Sequence, residues 1–270
     1  MNEQSAASIY EETRSIYGDE HHKTLTAYLK MIEKDTSDYE AYSDKLFLAG
    51  DVADKLRDSR DPDAIHAMLL YADMLSDFCG MPSLSEYEAI YEWVLELGDA
   101  GRAHLAHVQS TLFDVYYELE FYDEAEEIGE KLLAFLRENT DTYGNSHLFC
   151  IYELARNEFM DRKFEKAQER LEHLYENERE AMAEENMLAD LSYNLAACCI
   201  YTKDFDKAEK LANEAAELYD DDKEDRTASL SRCAKGLAAK ANAARTLAPD
   251  ENIGGFLILR WLKTWVQVLG

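Results

Sequence analysis

The chain has 270 residues, with 28 basic against 56 acidic side chains and a formal net charge of −28. A field of that sign repels phosphate backbones and anionic lipid while attracting basic partners, which sets nucleic acid aside as a ligand class. Only 3 Pro and 11 Gly occur, and β-rich runs between turn signals are missing, so the composition points to an all-α chain.

Residues 1–16 hold little apolar content and read as a short lead-in helix or a frayed end. The first hairpin follows, with Leu25, Leu29 and Ile32 at helical spacing and then Tyr39, Tyr42, Leu46, Leu48, Val52 and Leu56 on a second helix. Asp35, Thr36, Ser37 and Asp38 supply the turn and its capping oxygens. Asp61-Pro62 reads as an N-cap followed by a first-turn proline. It opens a second hairpin over 62–78 and 83–97, in which Ser83 and Glu86 have the spacing of a capping box.

A break at 97–101 leads into three better-formed hairpins, with further breaks near 140–144 and 183–185. After the acidic run 220–225 a further first helix is expected over 227–246, with Leu230, Cys233, Leu237 and Ala241 on one stripe and Pro249 beyond its end. The last segment, 256–269, reads FLILRWLKTWVQVL and carries Trp261 and Trp265 but no acidic residue. At about 1.5 Å per residue it spans roughly 21 Å, short of a bilayer core of about 30 Å, so it is not expected to cross a membrane. Ile258, Trp261, Leu262, Trp265 and Leu269 form a stripe suited to a closing cap, while Phe256, Leu257, Leu259, Val266 and Val268 broaden the apolar surface. Contact with a membrane surface, a second copy or the chain's own acidic groove are the alternatives to the cap.

One pattern recurs through the middle of the chain. Ten residues after Leu112, Leu154 and Leu195 stand Tyr122, Phe164 and (counted from Leu195) Phe205, each followed three residues later by an alanine, Ala125, Ala167 or Ala208. The aromatics are 42 and 41 residues apart, and self-similarity at a fixed period marks stacked repeats. The small residues Ala155 and Ala196 after the leading leucines allow close helix crossing.

This pattern resembles the tetratricopeptide repeat family, whose leucine, small-residue and alanine positions it matches, with Tyr116 at the tyrosine position of the first copy. Gln109, Ile151 and Ser192 replace the family's tryptophan, and Gly129, Leu171 and Ala212 its phenylalanine. The longer period is similar to that of the kinesin-light-chain type. Tyr17-Gly18-Asp19-Glu20-His21 before Thr24-Leu25 resembles the opening of those repeats, and Tyr143-Gly144-Asn145-Ser146-His147 repeats its start 126 residues on. The resemblance implies an all-α right-handed solenoid of about six antiparallel hairpins. Its units fall near 17–58, 59–100, 101–142, 143–184, 185–226 and 227–249, with 250–270 as a separate capping or interaction segment.

The resemblance also implies a groove lined by the first helices, in which peptides or partner helices lie. Asn194 matches an asparagine that in such repeats hydrogen-bonds a bound peptide's backbone. Arg156 and Asn157 stand on the same kind of helix, with Glu153 and Glu158 beside them opposing an anionic ligand. Tyr116, Tyr152 and Tyr193 are either aromatic contacts or core residues. The expected partner is a protein or peptide of basic or amphipathic character, and a homo-oligomer is compatible with the pattern.

Signals of catalysis are weak. His104 and His107 share a helical face, but no third ligand is fixed by spacing, and neither a glycine-rich phosphate loop nor a G-x-S-x-G motif is present. The expectation is therefore a non-enzymatic binding scaffold with no cofactor and no metal. The alternative is an intracellular peptide-sensing regulator similar to bacterial receptors built on tetratricopeptide arrays. The odd count of 5 cysteines and an N-terminus without a basic and apolar leader point to the cytoplasm.

Overall fold

The computed structural model describes residues 5–32, 39–59, 61–221 and 225–246, and all regular structure among them is helical. The chain divides into two compact units, Met1–Glu138 and Asn139–Gly270.

The first unit contains α1 (Ala6–Tyr17), α2 (His22–Ile32), α3 (Tyr39–Ser59), α4 (Ile65–Cys79), α5 (Leu84–Glu96), α6 (Arg102–Glu118) and α7 (Tyr122–Glu138). Each helix packs on the next, and α2 also reaches α4, so successive hairpins stack on shared apolar faces. Ser5 caps α1 through its hydroxyl, which accepts from the Ser8 amide at 3.2 Å. Asp61 caps the 3-10 turn Pro62–Ala64 as its spacing predicts, accepting from the Asp63 amide at 3.1 Å, and its other oxygen meets His22 Nδ1 at 3.2 Å.

Two local expectations change here. On α3 the buried stripe is Leu46, Ala49, Ala53 and Leu56, and Leu48 faces outward, because it stands two residues and so about 200° from Leu46 around the helix. Ser83 forms no side-chain cap with the helix it precedes. Glu86 is instead drawn to Arg57, whose Nη2 donates to Oε2 at 2.5 Å and pins α3 to α5, while the Ser83 amide donates to Ser76 Oγ at 2.9 Å.

The second unit contains α8 (Thr140–Tyr143), α9 (Ser146–Met160), α10 (Phe164–Asn177), α11 (Arg179–Glu184), α12 (Leu188–Tyr201), α13 (Phe205–Asp221) and α14 (Asp225–Thr246). Here α10 packs against both α9 and α12, α13 against both α12 and α14, and α12 touches α9 and α14. Each second helix thus lies between its own first helix and the next one, which is the packing of a helical repeat. On α14 the inward stripe is Leu230, Ala234, Leu237, Ala238 and Ala241, with Ala234 buried where Cys233 was expected.

The repeat positions have a packing role. Ala125, Ala167 and Ala208 are fully buried, as are Leu154, Leu195, Ala155 and Ala196. Phe164 stacks on Tyr201 with ring centroids 4.1 Å apart, and Phe159 meets the edges of both. The turns between first and second helices repeat as well. Glu120, Arg162 and Lys203 adopt left-handed backbone, each two residues before the aromatic of its second helix. Their amides and those of the next residues bond back to carbonyls three and five positions earlier, closing the first helix with a Schellman turn. Residues 35–38 and 256–269, with Trp261 and Trp265, lie outside the described residues.

Candidate functional site

The first helices of the second unit bring three candidates together. Asn194 on α12 donates through Nδ2 to the Tyr152 hydroxyl on α9 at 2.6 Å, and through the same nitrogen to the Asp190 carbonyl at 3.0 Å. Asp190 Oδ1 in turn accepts from the Tyr219 hydroxyl on α13. The result is a polar chain, Tyr152–Asn194–Asp190–Tyr219, that crosses three helices and fixes the rotamer of Asn194. Both amide hydrogens of Asn194 are used, whereas its Oδ1 makes no hydrogen bond among the described residues, and the residue is partly buried.

Arg156 lies on the same helix as Tyr152. Its Nη1 donates to both carboxylate oxygens of Glu153, at 2.9 and 2.8 Å, and the pair is partly exposed. The charge of Arg156 is felt at Tyr152, where it opposes the larger effects of burial and of Asp190, which raise the phenol's pKa. Tyr219 is raised in the same direction by burial and then by Asp190.

Other candidates sit elsewhere. Asn157 is 0% exposed and belongs to the interior, as do Tyr152 at 6% and Tyr193 at 4%, so these three build the unit and do not line its surface. Tyr193 is held near Cys233 of α14, and burial raises its pKa. Tyr116 is in the first unit, partly buried on α6, and donates to Glu88 Oε1 on α5 at 2.9 Å. Burial and then this bond raise its pKa.

Glu158, expected to oppose anions beside Arg156, is instead fully buried on the other side of α9. Arg170 Nε donates to its Oε1 at 2.7 Å and Lys166 Nζ lies 3.0 Å from the same oxygen, tying α9 to α10. The negative charge left on the accessible side comes from Glu153 and Asp190. Asp190 and Tyr219 were not singled out from sequence. Asp190 stands four residues before Asn194 and so shares its helical face, a signal that spacing carries; nothing local marks Tyr219.

His104 is half-buried, which lowers its pKa, and His107 is exposed. Among the described residues no group of three or more His, Cys, Asp or Glu side chains is arranged to hold a metal ion. Among them, too, no helix is long and apolar enough to cross a membrane, and all five cysteines are free thiols.

No protein-family model and no curated protein matches the chain. Among solved structures it is similar to the crystal structure of BtubC (BKLC) from P. vanneervenii, at 19% identity and a TM-score of 0.48, over 86% of this chain and 98% of that one.

Proposed function

We propose that this chain is a non-catalytic interaction scaffold that holds a basic or amphipathic segment of a partner protein against the first helices of its second unit. The observation that carries this reading is the oriented amide of Asn194. Its donors are occupied by Tyr152 and the Asp190 carbonyl, so its Oδ1 is presented as a fixed acceptor for a backbone N–H of the partner. An acceptor whose rotamer is already set loses little entropy on binding. Glu153 and Asp190 lie on the same helices and favour lysine or arginine in the bound segment, and the net charge of −28 steers such a segment toward the chain. Arg156, held by Glu153, supplies a donor for a carbonyl of the same segment.

In this reading Tyr152 and Tyr193 act from within, one by orienting Asn194 and the other by packing, and Tyr116 provides a separate polar contact on the first unit. A reducing, cytoplasmic setting suits five free thiols. Selection from a displayed peptide library on the full chain tests the proposal. Sequences enriched in lysine and arginine should emerge, and Asn194→Ala should weaken them about tenfold, equivalent to about 1.4 kcal/mol. Binders of acidic character, or basic ones indifferent to both Asn194→Ala and Glu153→Lys, would refute it.

A further inference from the structure

The outward face of α3 departs from those of α7, α10 and α13. On α7, α10 and α13 the exposed positions are dominated by charge: Glu124, Glu127 and Glu130; Glu165, Glu169 and Glu176; Asp206, Lys210 and Glu217. On α3 the exposed positions run Glu40, Asp44, Phe47, Leu48, Asp51, Asp54, Lys55 and Asp58, with Phe47 at 69% and Leu48 at 57% exposure. A solvated face needs neither side chain, and the helix already buries its opposite stripe through Leu46, Ala49, Ala53 and Leu56. Two adjacent large apolar side chains held in water in the middle of a long helix mark a contact surface.

The surrounding charge decides what can cover it. Asp44 lies about one turn before the apolar pair and Asp51 about one turn after it, and Asp58 continues the same stripe. The cation of this face, Lys55, is held by Glu20 Oε1 at 2.6 Å, and Arg57 is turned toward Glu86. A patch of this composition repels an anionic bilayer and a nucleic-acid backbone alike. It suits an apolar pair flanked by cations on both sides.

We propose that the outward face of α3 is a second docking surface, distinct from the α9–α12 face, for a basic amphipathic helix of another protein. The order Asp44, Phe47-Leu48, Asp51 spans about 10 Å along the helix axis. A helix reading Lys-x-x-Leu-Leu-x-x-Lys spans the same length, seats its leucines on Phe47 and Leu48, and places its ammonium groups beside Asp44 and Asp51. The site stands on the opposite kind of helix from Asn194, and does not depend on the reading of the α9–α12 face.

Fluorescence anisotropy of a labelled helical peptide with that Lys-x-x-Leu-Leu-x-x-Lys core, titrated with the full chain, tests it. The lysine peptide should bind at least about tenfold more tightly than its glutamate counterpart, a preference set by like-charge repulsion at Asp44 and Asp51. The Phe47→Ser/Leu48→Ser chain should lose that binding while keeping its helical circular dichroism and melting temperature, since both side chains are exposed. Asp44→Asn/Asp51→Asn should keep the apolar contact and lose the preference for lysine. Unchanged binding by the Phe47→Ser/Leu48→Ser chain would overturn the proposal. Loss on Asn194→Ala instead would also overturn it, while upholding the α9–α12 site. Binding to phosphatidylserine vesicles that requires Phe47 and Leu48 would overturn the choice of partner.

Discussion

The Asn194 amide nitrogen and the Tyr152 hydroxyl, 42 residues apart in the chain, lie 2.6 Å from each other and join the first helices of consecutive hairpins. Tyr152 is buried and Asn194 only partly so, and the bond links the interior of the second unit to the surface assigned to binding. Tyr152→Phe keeps the ring and removes the acceptor. It should cost about 1 kcal/mol in urea unfolding, the usual net worth of one hydrogen bond, and should weaken partner binding by releasing Asn194. If stability falls and affinity does not, Asn194 is a structural residue only.

Glu158 is the most demanding group in the second unit, a fully buried carboxylate shared by Arg170 and Lys166. Removing one partner of a buried pair typically costs about 3–5 kcal/mol, whereas a pair that reaches solvent is worth less than about 1. Arg170→Ala should therefore destabilise several times more than Lys166→Ala, because the Arg170 side chain is largely covered and that of Lys166 is 42% exposed. Equal effects in chemical denaturation would contradict this ranking.

The left-handed turn residues Glu120, Arg162 and Lys203 carry a steric penalty that glycine would avoid. For L-residues that penalty is about 1–2 kcal/mol, offset in part by the 0.5–1 or so that glycine adds to the unfolded chain's entropy. Lys203→Gly should therefore raise stability by roughly 0.5–1 kcal/mol, visible as a higher melting temperature. The lysine side chain is exposed, so little else changes with it.

Alkali should unfold the second unit through its tyrosines. Burial raises the pKa of Tyr152, Tyr193 and Tyr219, with Asp190 adding to the effect at the first and last. The folded state then holds these protons where the unfolded chain has lost them. Their contribution is fully present below the ordinary tyrosine value of about 10 and declines as pH rises beyond it, by up to about 1.4 kcal/mol per pH unit for each tyrosine. Urea melts on either side of that value should show the loss, and Tyr219→Phe should flatten its slope.

The repeat skeleton was readable because close helix crossing demands small residues at a fixed period, and Ala125, Ala167 and Ala208 are all fully buried in consequence. Helical spacing also contains the fate of Asn157, three residues beyond Leu154 and therefore on the same inward face, although its polarity suggests the surface. Glu158, four residues beyond Leu154, shares that face by the same spacing; what spacing does not show is that Arg170 and Lys166 of the following helix compensate its buried charge. The turn geometry at Glu120, Arg162 and Lys203 was hidden because none is glycine; Gly80 closes α4 with the same left-handed backbone and is the residue type that announces it. At Ser83 the local capping pattern lost to a distant partner, Arg57, which claims Glu86.

The most direct test is amide hydrogen exchange of the full chain with and without a lysine- and arginine-rich peptide selected on it. Slowed exchange concentrated in α9 and α12, and absent from that map in the Asn194→Ala chain, is the predicted result. Protection that spares α9 and α12, with the peptide demonstrably bound, would contradict the assignment of the binding face.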